Sequence, residues 1–432
     1  MSRKIISPGK NITGIVELPG DKSISHRYAI LAALAQGRSE ISNYAGAADC
    51  QSTLGCLRRL GIEIDFSRQL TVISGCGLDG LKAPRRALDA ENSGTTIRML
   101  CGVLAGQSFA STLTGDSSLR RRPMRRVIDP LTQMGAQIHS AEGGRAPLEI
   151  HGAPLRAINY TPPIPSAQVK SSILLAGLFA DAPTSVTESV ATRDHTEQAL
   201  REFGALLETS SGAVRIHPRP KLIARQLRVP GDLSAAVFLI AAALILPDST
   251  LTLHNVGLNP TRARVLDFLS SIGAPIHFGS VQMQAGELVG DLTVHHAPLK
   301  GGAISGAAVA EMIDELPMLA ALGPFTDQGI EIHDAQELRV KESDRIAALA
   351  AGLRLMGASV EEFPDGLRVA GRASGKLRGA KVDPQGDHRI AMALSVAALG
   401  AAGDTTILDS DCVAVSFPDF FPVLDRLRGH TA

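Results

Sequence analysis

Two kinds of apolar pattern alternate along the chain. The first is a run of small and aliphatic residues with hardly a polar break. It occurs in GDKSISHRYAILAAL, NSGTTIRMLCGVLAG, PSAQVKSSILLAGLF, GDLSAAVFLIAAALI, IDELPMLAAL and GDHRIAMALSVAAL. Each run opens near Asp, Asn or Ser, side chains that cap helix N-termini by accepting a backbone N–H. A helix this apolar has no polar face, so it is expected to be buried on nearly every side. The second pattern is a helix ending in Gly and followed by a strand-like start: LRRLGIEI, LTQMGAQI, LREFGALL, LSSIGAPI and LRLMGASV. Their glycines, Gly61, Gly135, Gly204, Gly273 and Gly357, recur roughly every 70–84 residues. Gly just past the last helical turn marks a C-cap, because Gly enters the left-handed region cheaply. Stretches such as LTVISG, EIHGAP, VRIHP and LTVHHAP read as strands between the helices.

These patterns predict about six copies of one α/β unit, each longer than a solenoid repeat of roughly 20–50 residues. The sixth Gly-capped helix, FPDFFPVLDRLRG, comes last, and the N-terminal KIISPGKNITGIVEL is its expected strand partner. The chain would then pass between two domains twice, near Pro19-Gly20 and Pro230-Gly231. The expected fold is α/β, with three units in 20–230 and three in 231–432 closed by 1–19.

Composition narrows the function. Aromatic residues make up 3% and Trp is absent, which disfavours a stacking platform for single-stranded nucleic acid. Formal net charge is zero, so no global field draws the chain to DNA or an anionic membrane. Any anion must be met by local clusters of cations. The five Cys form no CxxC, so neither a disulfide framework nor a zinc site is expected. The start MSRKIISPGKN has no apolar core of a signal peptide, and the run Ala235–Leu246 is shorter than the roughly 20 residues of a bilayer span. A cytoplasmic protein is expected.

Several motifs are superficial. GCGLDG matches GxGxxG, but LKAP follows in place of a helix, so a hairpin turn is expected. GDKS and SPGKN lack the order that a phosphate-binding P-loop needs. His295 and His296 would point to opposite faces of a strand, which argues against a metal site.

Six segments place charge where a buried helix should be apolar. Lys22 and Arg27 lie at the start of a helix, against its macrodipole, and make sense beside a bound anion. Asn92-Ser93-Gly94-Thr95-Thr96 opens a helix containing Arg98; it reads equally as a plain cap or as open backbone for a ligand. Arg120–Arg126 holds five Arg, which read equally as a solvated face or an RNA patch or, with Pro123 at the first helical position, as a site for phosphate or carboxylate. Ser166-Ala167-Gln168-Val169-Lys170 brings polar residues into an apolar helix. Asp314 stands at the mouth of another, where capping alone would account for it. Lys341 and Arg345 are spaced as i,i+4 neighbours on one helix face, with Glu342 beside them and Asp387-His388-Arg389 further on. Cations with a flanking carboxylate suit an anionic substrate that also needs proton transfer.

In order along the whole chain, LPGDKSISHRYAILAAL, NSGTTIRML, RPMRRV, LRVKESDRI, GDHRIAMAL and VSFPDFF resemble the signature blocks of the 5-enolpyruvylshikimate-3-phosphate synthase family. The resemblance implies the enolpyruvyl transferase fold: two similar domains, each of three βαβαββ-type units with central buried helices, hinged so that substrates close them. It implies transfer of an enolpyruvyl group from phosphoenolpyruvate to shikimate 3-phosphate, with no metal or organic cofactor, and a monomer is expected. Lys22, Ser23, Arg27, Ser166, Gln168, Arg193, Asp314 and Lys341 would hold shikimate 3-phosphate. Lys22, Gly94, Arg122, Gln168, Arg345 and Arg389 would hold phosphoenolpyruvate and, in the family, the anionic inhibitor glyphosate. Asp314 would take the proton of the 5-hydroxyl, and Glu342 or Lys22 would protonate the methylene carbon. The sister family, which uses UDP-N-acetylglucosamine, has a reactive Cys shortly before the Arg-Pro pair; here Gly115–Leu119 has none. A catalytically inactive anion-binding module is the other alternative. Two positions depart from one branch of the family: Val415 stands where that branch has Lys, and Met99 where it has Pro.

Overall fold

Helices with no polar face must be enclosed, and the chain encloses six of them, three in each of two units. The computed structural model describes residues 2–67, 69–210 and 212–428. One unit, the N-unit, comprises Gly20–Pro230 and the short segment Met283–Glu287; the C-unit comprises the described residues of Met1–Pro19, Gly231–Gln282 and Leu288–Ala432. The segment Met283–Glu287 was not expected in the N-unit. It is the tip of a hairpin, and Glu287 bonds there to His195 at 2.7 Å.

The N-unit helices are α1 (Lys22–Leu34), α2 (Ala48–Arg59), α3 (Gly94–Ala105), α4 (Arg125–Gln133), α5 (Ala167–Gly177) and α6 (His195–Glu202). Those of the C-unit are α7 (Leu233–Ile245), α8 (Arg264–Ser271), α9 (Ala307–Glu311), α10 (Leu316–Ala321), α11 (Arg345–Leu355), α12 (His388–Leu399) and α13 (Phe420–Leu427). The apolar runs are α1, α3, α5, α7, α10 and α12; every residue of α7 and of α12 is buried. Side chains of Asp21, Ser93, Ser166, Asp232 and Asp387 cap five of them.

The other helices show one buried stripe. In α4 it is Val127, Pro130 and Leu131, the i, i+3, i+4 spacing of an amphipathic helix. After α2, α4, α6, α8 and α11 come Gly61, Gly135, Gly204, Gly273 and Gly357, with φ of 91°, 105°, 95°, 102° and 90°. In each case the amide after Gly reaches back five residues, as Ile62 does to Leu57 O at 3.1 Å and Ala358 to Leu353 O at 2.9 Å. That bond completes a Schellman motif and turns the chain into its next strand.

Among the described residues, five sheets have four strands and one has three; the five four-stranded sheets share one plan. A short strand lies parallel to a second, and the second pairs antiparallel with a hairpin. In the N-unit, Gln226–Arg228 is parallel to Gln36–Ser42, which pairs antiparallel with Leu70–Cys76, and that with Glu63–Phe66. In the C-unit, Thr13–Glu17 takes the parallel place beside Thr250–Gly257. The three-stranded sheet joins Lys381–Val382, Thr405–Leu408 and Arg3–Ile6, the last antiparallel with Arg3 opposite Leu408. The N-terminal segment thus serves two sheets.

GCGLDG corrects one expectation. It forms a turn after Leu70–Cys76, but the next strand, Leu88–Asp89, belongs to another sheet, so there is no hairpin. No helix among the described residues is long and apolar enough to cross a membrane.

Candidate active site

In the N-unit the N-termini of α1, α3 and α5 are tied together by polar side chains. Lys22, the first residue of α1, places Nζ 2.9 Å from Oδ2 of Asp49 on α2. Arg27, one turn on, is buried. Its Nη2 donates to Ser171 Oγ of α5 at 2.9 Å, its Nε to Thr196 Oγ1 of α6 at 2.6 Å, and its Nη1 to the Ser23 carbonyl at 2.8 Å. Burial draws the Arg27 guanidinium down to about 10, and Arg193 adds to this against the carboxylates of Glu197, Asp21 and Glu287. The group keeps its proton at neutral pH, but its charge is poorly solvated, which favours an arriving anion.

Gln168 bridges α5 and α3. Its Oε1 accepts from Arg98 Nη1 at 2.6 Å and its Nε2 donates to Thr95 Oγ1 at 2.9 Å. Gly94 opens α3 beside them. A Cβ there would stand 2.7 Å from Nη1 of Arg98 and 3.2 Å from Nη1 of Arg122, so glycine leaves these guanidinium groups their place. Arg122 is buried and donates from Nη2 to Asn92 Oδ1 at 2.8 Å. The N-termini of three buried helices therefore present positive backbone ends together with Lys22, Arg98 and Arg122, a setting suited to phosphate and carboxylate. Ser166 caps α5, accepting from Val169 N at 3.4 Å.

Lys170 turns inward instead, between Glu188 at 2.7 Å and Glu197 at 2.8 Å, and is structural. The sequence suggests Pro123 as a first helical residue, and the structure does not bear this out. Pro123 follows a short 3-10 turn, and α4 begins two residues later, at Arg125.

His26 lies beneath the cluster. Burial, with Lys22 and Arg27 nearby, pushes its imidazole well below the ordinary 6.5, while Nδ1 meets Thr53 Oγ1 at 2.6 Å. The folded protein keeps it neutral when the unfolded chain would take a proton. Stability should therefore fall as pH drops below the ordinary value of 6.5, by about 1.4 kcal/mol per pH unit, until the buried ring is forced to protonate. Thermal melts from pH 7 to 5 should show a shallower decline for His26→Gln than for the wild type; equal slopes would rule out this source.

In the C-unit, Arg345 is the centre. It opens α11, and its side chain is 2% exposed. Nε donates to Asp387 Oδ2 at 2.8 Å and Nη2 to Glu342 Oε2 at 2.6 Å, while Nη1 lies 3.7 Å from Asp314 Oδ1. Burial opposes the charge, but Asp387, Glu342 and Asp314 outweigh it and hold its pKa above the ordinary value. Arg389, in the first turn of α12, donates from Nη1 to the Asp314 carbonyl at 2.8 Å and has Nη2 3.8 Å from Asp314 Oδ2.

Two expectations change here. Lys341 and Arg345 do not share a helix face: Lys341 ends a 3-10 turn, and Asp344 caps α11, accepting from Ala347 N at 3.0 Å. The Lys341 ammonium pairs with Glu337 at 3.2 Å. Capping does not account for Asp314 either, because the N-cap residue of α10 is Glu315, whose side chain makes no capping bond.

Sequence reasoning left three contributors out of the candidate site. Arg98 carried a signal, a lone charge within an apolar helix. Asp387 was quoted within its motif but given no role. Asp49 carried no signal, since only the fold brings it to Lys22. Of the two departures, Met99 faces the core at 0% exposure, and Val415 ends a 3-10 turn, partly exposed. His295 sits edge-on to His277, whereas His296 Nδ1 meets the Leu244 carbonyl at 2.8 Å. Burial pushes the thiols of Cys56, Cys101 and Cys412 up to about 12, so none of these three is a ready nucleophile.

Comparison with known proteins places the whole chain in one family. The sequence model of the family described as EPSP synthase (3-phosphoshikimate 1-carboxyvinyltransferase) matches residues 6–424. The chain is 54% identical to the 3-phosphoshikimate 1-carboxyvinyltransferase of Solibacter usitatus, over 98% of this chain and 99% of that one. It is 52% identical to that of Koribacter versatilis, over 98% of each. The solved EPSP synthase of Acinetobacter baumannii superposes with a TM-score of 0.88 at 39% identity, over 99% of this chain and 98% of that one. The enolpyruvyl transferase NikO of Streptomyces tendae, at 19% identity and a TM-score of 0.77 over 98% and 96%, shares the fold. The match runs through both units and both charged clusters, and the chain belongs to the EPSP synthase family.

Proposed function

We propose that this chain transfers the enolpyruvyl group of phosphoenolpyruvate to the 5-hydroxyl of shikimate 3-phosphate and releases phosphate, a step of aromatic amino acid biosynthesis. The observation that carries the reading is the gathering of cations at buried helix N-termini in a family whose members carry that activity in their names. Both substrates bear a phosphate and a carboxylate, so a neutral protein needs such local clusters.

In this reading Lys22, Ser23, Arg27, Ser166, Gln168, Arg193 and Lys341 hold shikimate 3-phosphate. Lys22, Gly94, Arg122, Gln168, Arg345 and Arg389 hold phosphoenolpyruvate. Asp314 takes the proton of the 5-hydroxyl as its oxygen attacks C2 of phosphoenolpyruvate. Glu342 or Lys22 delivers a proton to C3, giving a tetrahedral ketal with a methyl group. Loss of a methyl proton and cleavage of the C2–O bond to phosphate then leave the enol ether and free phosphate. An anion reaching Arg345 competes with Glu342 for the guanidinium. The chemistry needs neither an electron sink nor a redox centre, and a cytoplasmic monomer without metal or organic cofactor completes the reading.

A phosphate-release assay with phosphoenolpyruvate tests it. Release should require shikimate 3-phosphate; release with UDP-N-acetylglucosamine in its place would overturn the reading. Glu342→Gln keeps the shape of the side chain but cannot trade protons. It should lower kcat by about 10²–10³-fold and leave the Kd of shikimate 3-phosphate within a few fold. Matching losses in both would make Glu342 a binding residue.

A further inference from the structure

The C-unit holds a buried charged cluster that the reaction as described does not use. Arg262, Glu315 and Ser234 are 3%, 1% and 6% exposed. Arg262 Nη2 lies 3.1 Å from Glu315 Oε1 and donates to Ser234 Oγ at 2.5 Å, while the Ser234 hydroxyl donates to the same Glu315 oxygen. Three elements meet here. Ser234 is in the first turn of α7, its amide held by the Asp232 carboxylate at 2.8 Å. Arg262 belongs to the loop before α8, where its amide donates to the Asn259 carbonyl at 2.8 Å and Asn259 Oδ1 accepts from Thr261 N at 2.9 Å. Glu315 immediately precedes α10.

A buried ion pair gives little net stability over well-packed apolar residues of the same size. Its presence here has a local reason. Glu315 follows Asp314, and the two side chains face different partners. Asp314 directs its carboxylate at Arg345 and Arg389, and Glu315 turns into the Arg262–Ser234 cluster. The Asp314 carbonyl is meanwhile held by Arg389 Nη1 at 2.8 Å. The backbone between the two side chains is thus gripped from both directions.

We propose that Arg262, Glu315 and Ser234 are positioning residues for Asp314, fixing the turn before α10 so that its carboxylate keeps one direction. The proposal rests on the reading of Asp314 as the base. A base held loosely still permits substrate binding but misses the geometry of proton transfer, and a displacement of about 1 Å can cost on the order of 10²-fold in rate.

The double variant Arg262→Met/Glu315→Met keeps volume and removes both charges of the pair together. It should melt cooperatively near the wild-type temperature and bind shikimate 3-phosphate, measured by titration calorimetry, within about twofold. Its kcat should fall about 10–100-fold. The acidic limb of its kcat–pH profile should also move, because the distances from Asp314 to Arg345 and Arg389 change. A folded double variant with wild-type kcat and profile would overturn the proposal. Should that variant not fold, Ser234→Ala decides, with kcat expected to drop about three- to tenfold at unchanged Kd and an undiminished kcat counting against the role. Asp314→Asn, run alongside, separates the two claims. Full activity there removes Asp314 from the reaction. A crippled Asp314→Asn beside an unimpaired double variant leaves the base in place and sinks the positioning role.

Discussion

Replacing Lys22 with Ala is expected to lower kcat/KM by about 10³-fold or more, because in the proposed reading one ammonium serves both substrates and loss of a single charge-stabilising donor already costs about 10²–10³. The structure adds a second reason. Lys22 is paired with Asp49 at 2.9 Å, and the side chains are 15% and 10% exposed. Without the ammonium, the Asp49 carboxylate loses that cation and faces incoming anions. The loss should therefore appear in KM for phosphoenolpyruvate as well as in kcat. Lys22→Ala/Asp49→Asn, which removes that negative charge too, should recover part of KM but little of kcat. Steady-state phosphate release with each substrate titrated in turn reads both numbers. Activity within threefold of wild type in Lys22→Ala would take Lys22 out of the mechanism.

Arg345→Ala should abolish turnover and destabilise the C-unit as well. The guanidinium is the shared partner of Asp387, Glu342 and Asp314, and Asp387 is 0% exposed. Removing the cation from such a buried arrangement typically costs about 3–5 kcal/mol, since the carboxylates stay behind. At roughly 2–4 °C per kcal/mol, the transition of this unit should fall by on the order of 10 °C. Arg345→Lys tests the geometry. An ammonium restores one charge but cannot span three carboxylates, so it should recover stability in part and activity very little. Calorimetric scans together with phosphate release decide it. A Lys variant with near wild-type kcat would mean that charge alone matters at this position.

What the sequence discloses depends on how local its cause is. Gly61, Gly135, Gly204, Gly273 and Gly357 are legible because a positive φ is a property of one residue and its helix. The apolar helices are legible because enclosure leaves no room for a polar face. Strand pairing is not: several strands are two to four residues long, and their partners are chosen by the fold. The spacing of Lys341 and Arg345 misleads, since four residues apart resembles one helix face. The cue to the contrary is Asp344, an N-cap residue directly before the apolar run of α11. Glu315 has its partner Arg262 53 residues away, and no pattern near either residue announces the pair. Lys22, Arg27 and Gly94, by contrast, announce themselves by breaking a local rule, cations or a glycine where a buried helix begins.

The antiparallel pairing of Arg3–Ile6 with Thr405–Leu408 also sets an order of events during synthesis. Arg3–Ile6 is made some 400 residues ahead of the strand it pairs with. At about 5–20 residues per second, that is a wait on the order of 20–80 s. The N-unit is almost one continuous stretch, Gly20–Pro230, and its sheets can close meanwhile. Val16 can pair once Thr250–Gly257 has been made, but through the whole interval the apolar Ile6, buried in the finished protein, has no sheet to receive it. Its early exposure makes this segment the natural point of attack for chaperones and proteases in the nascent chain.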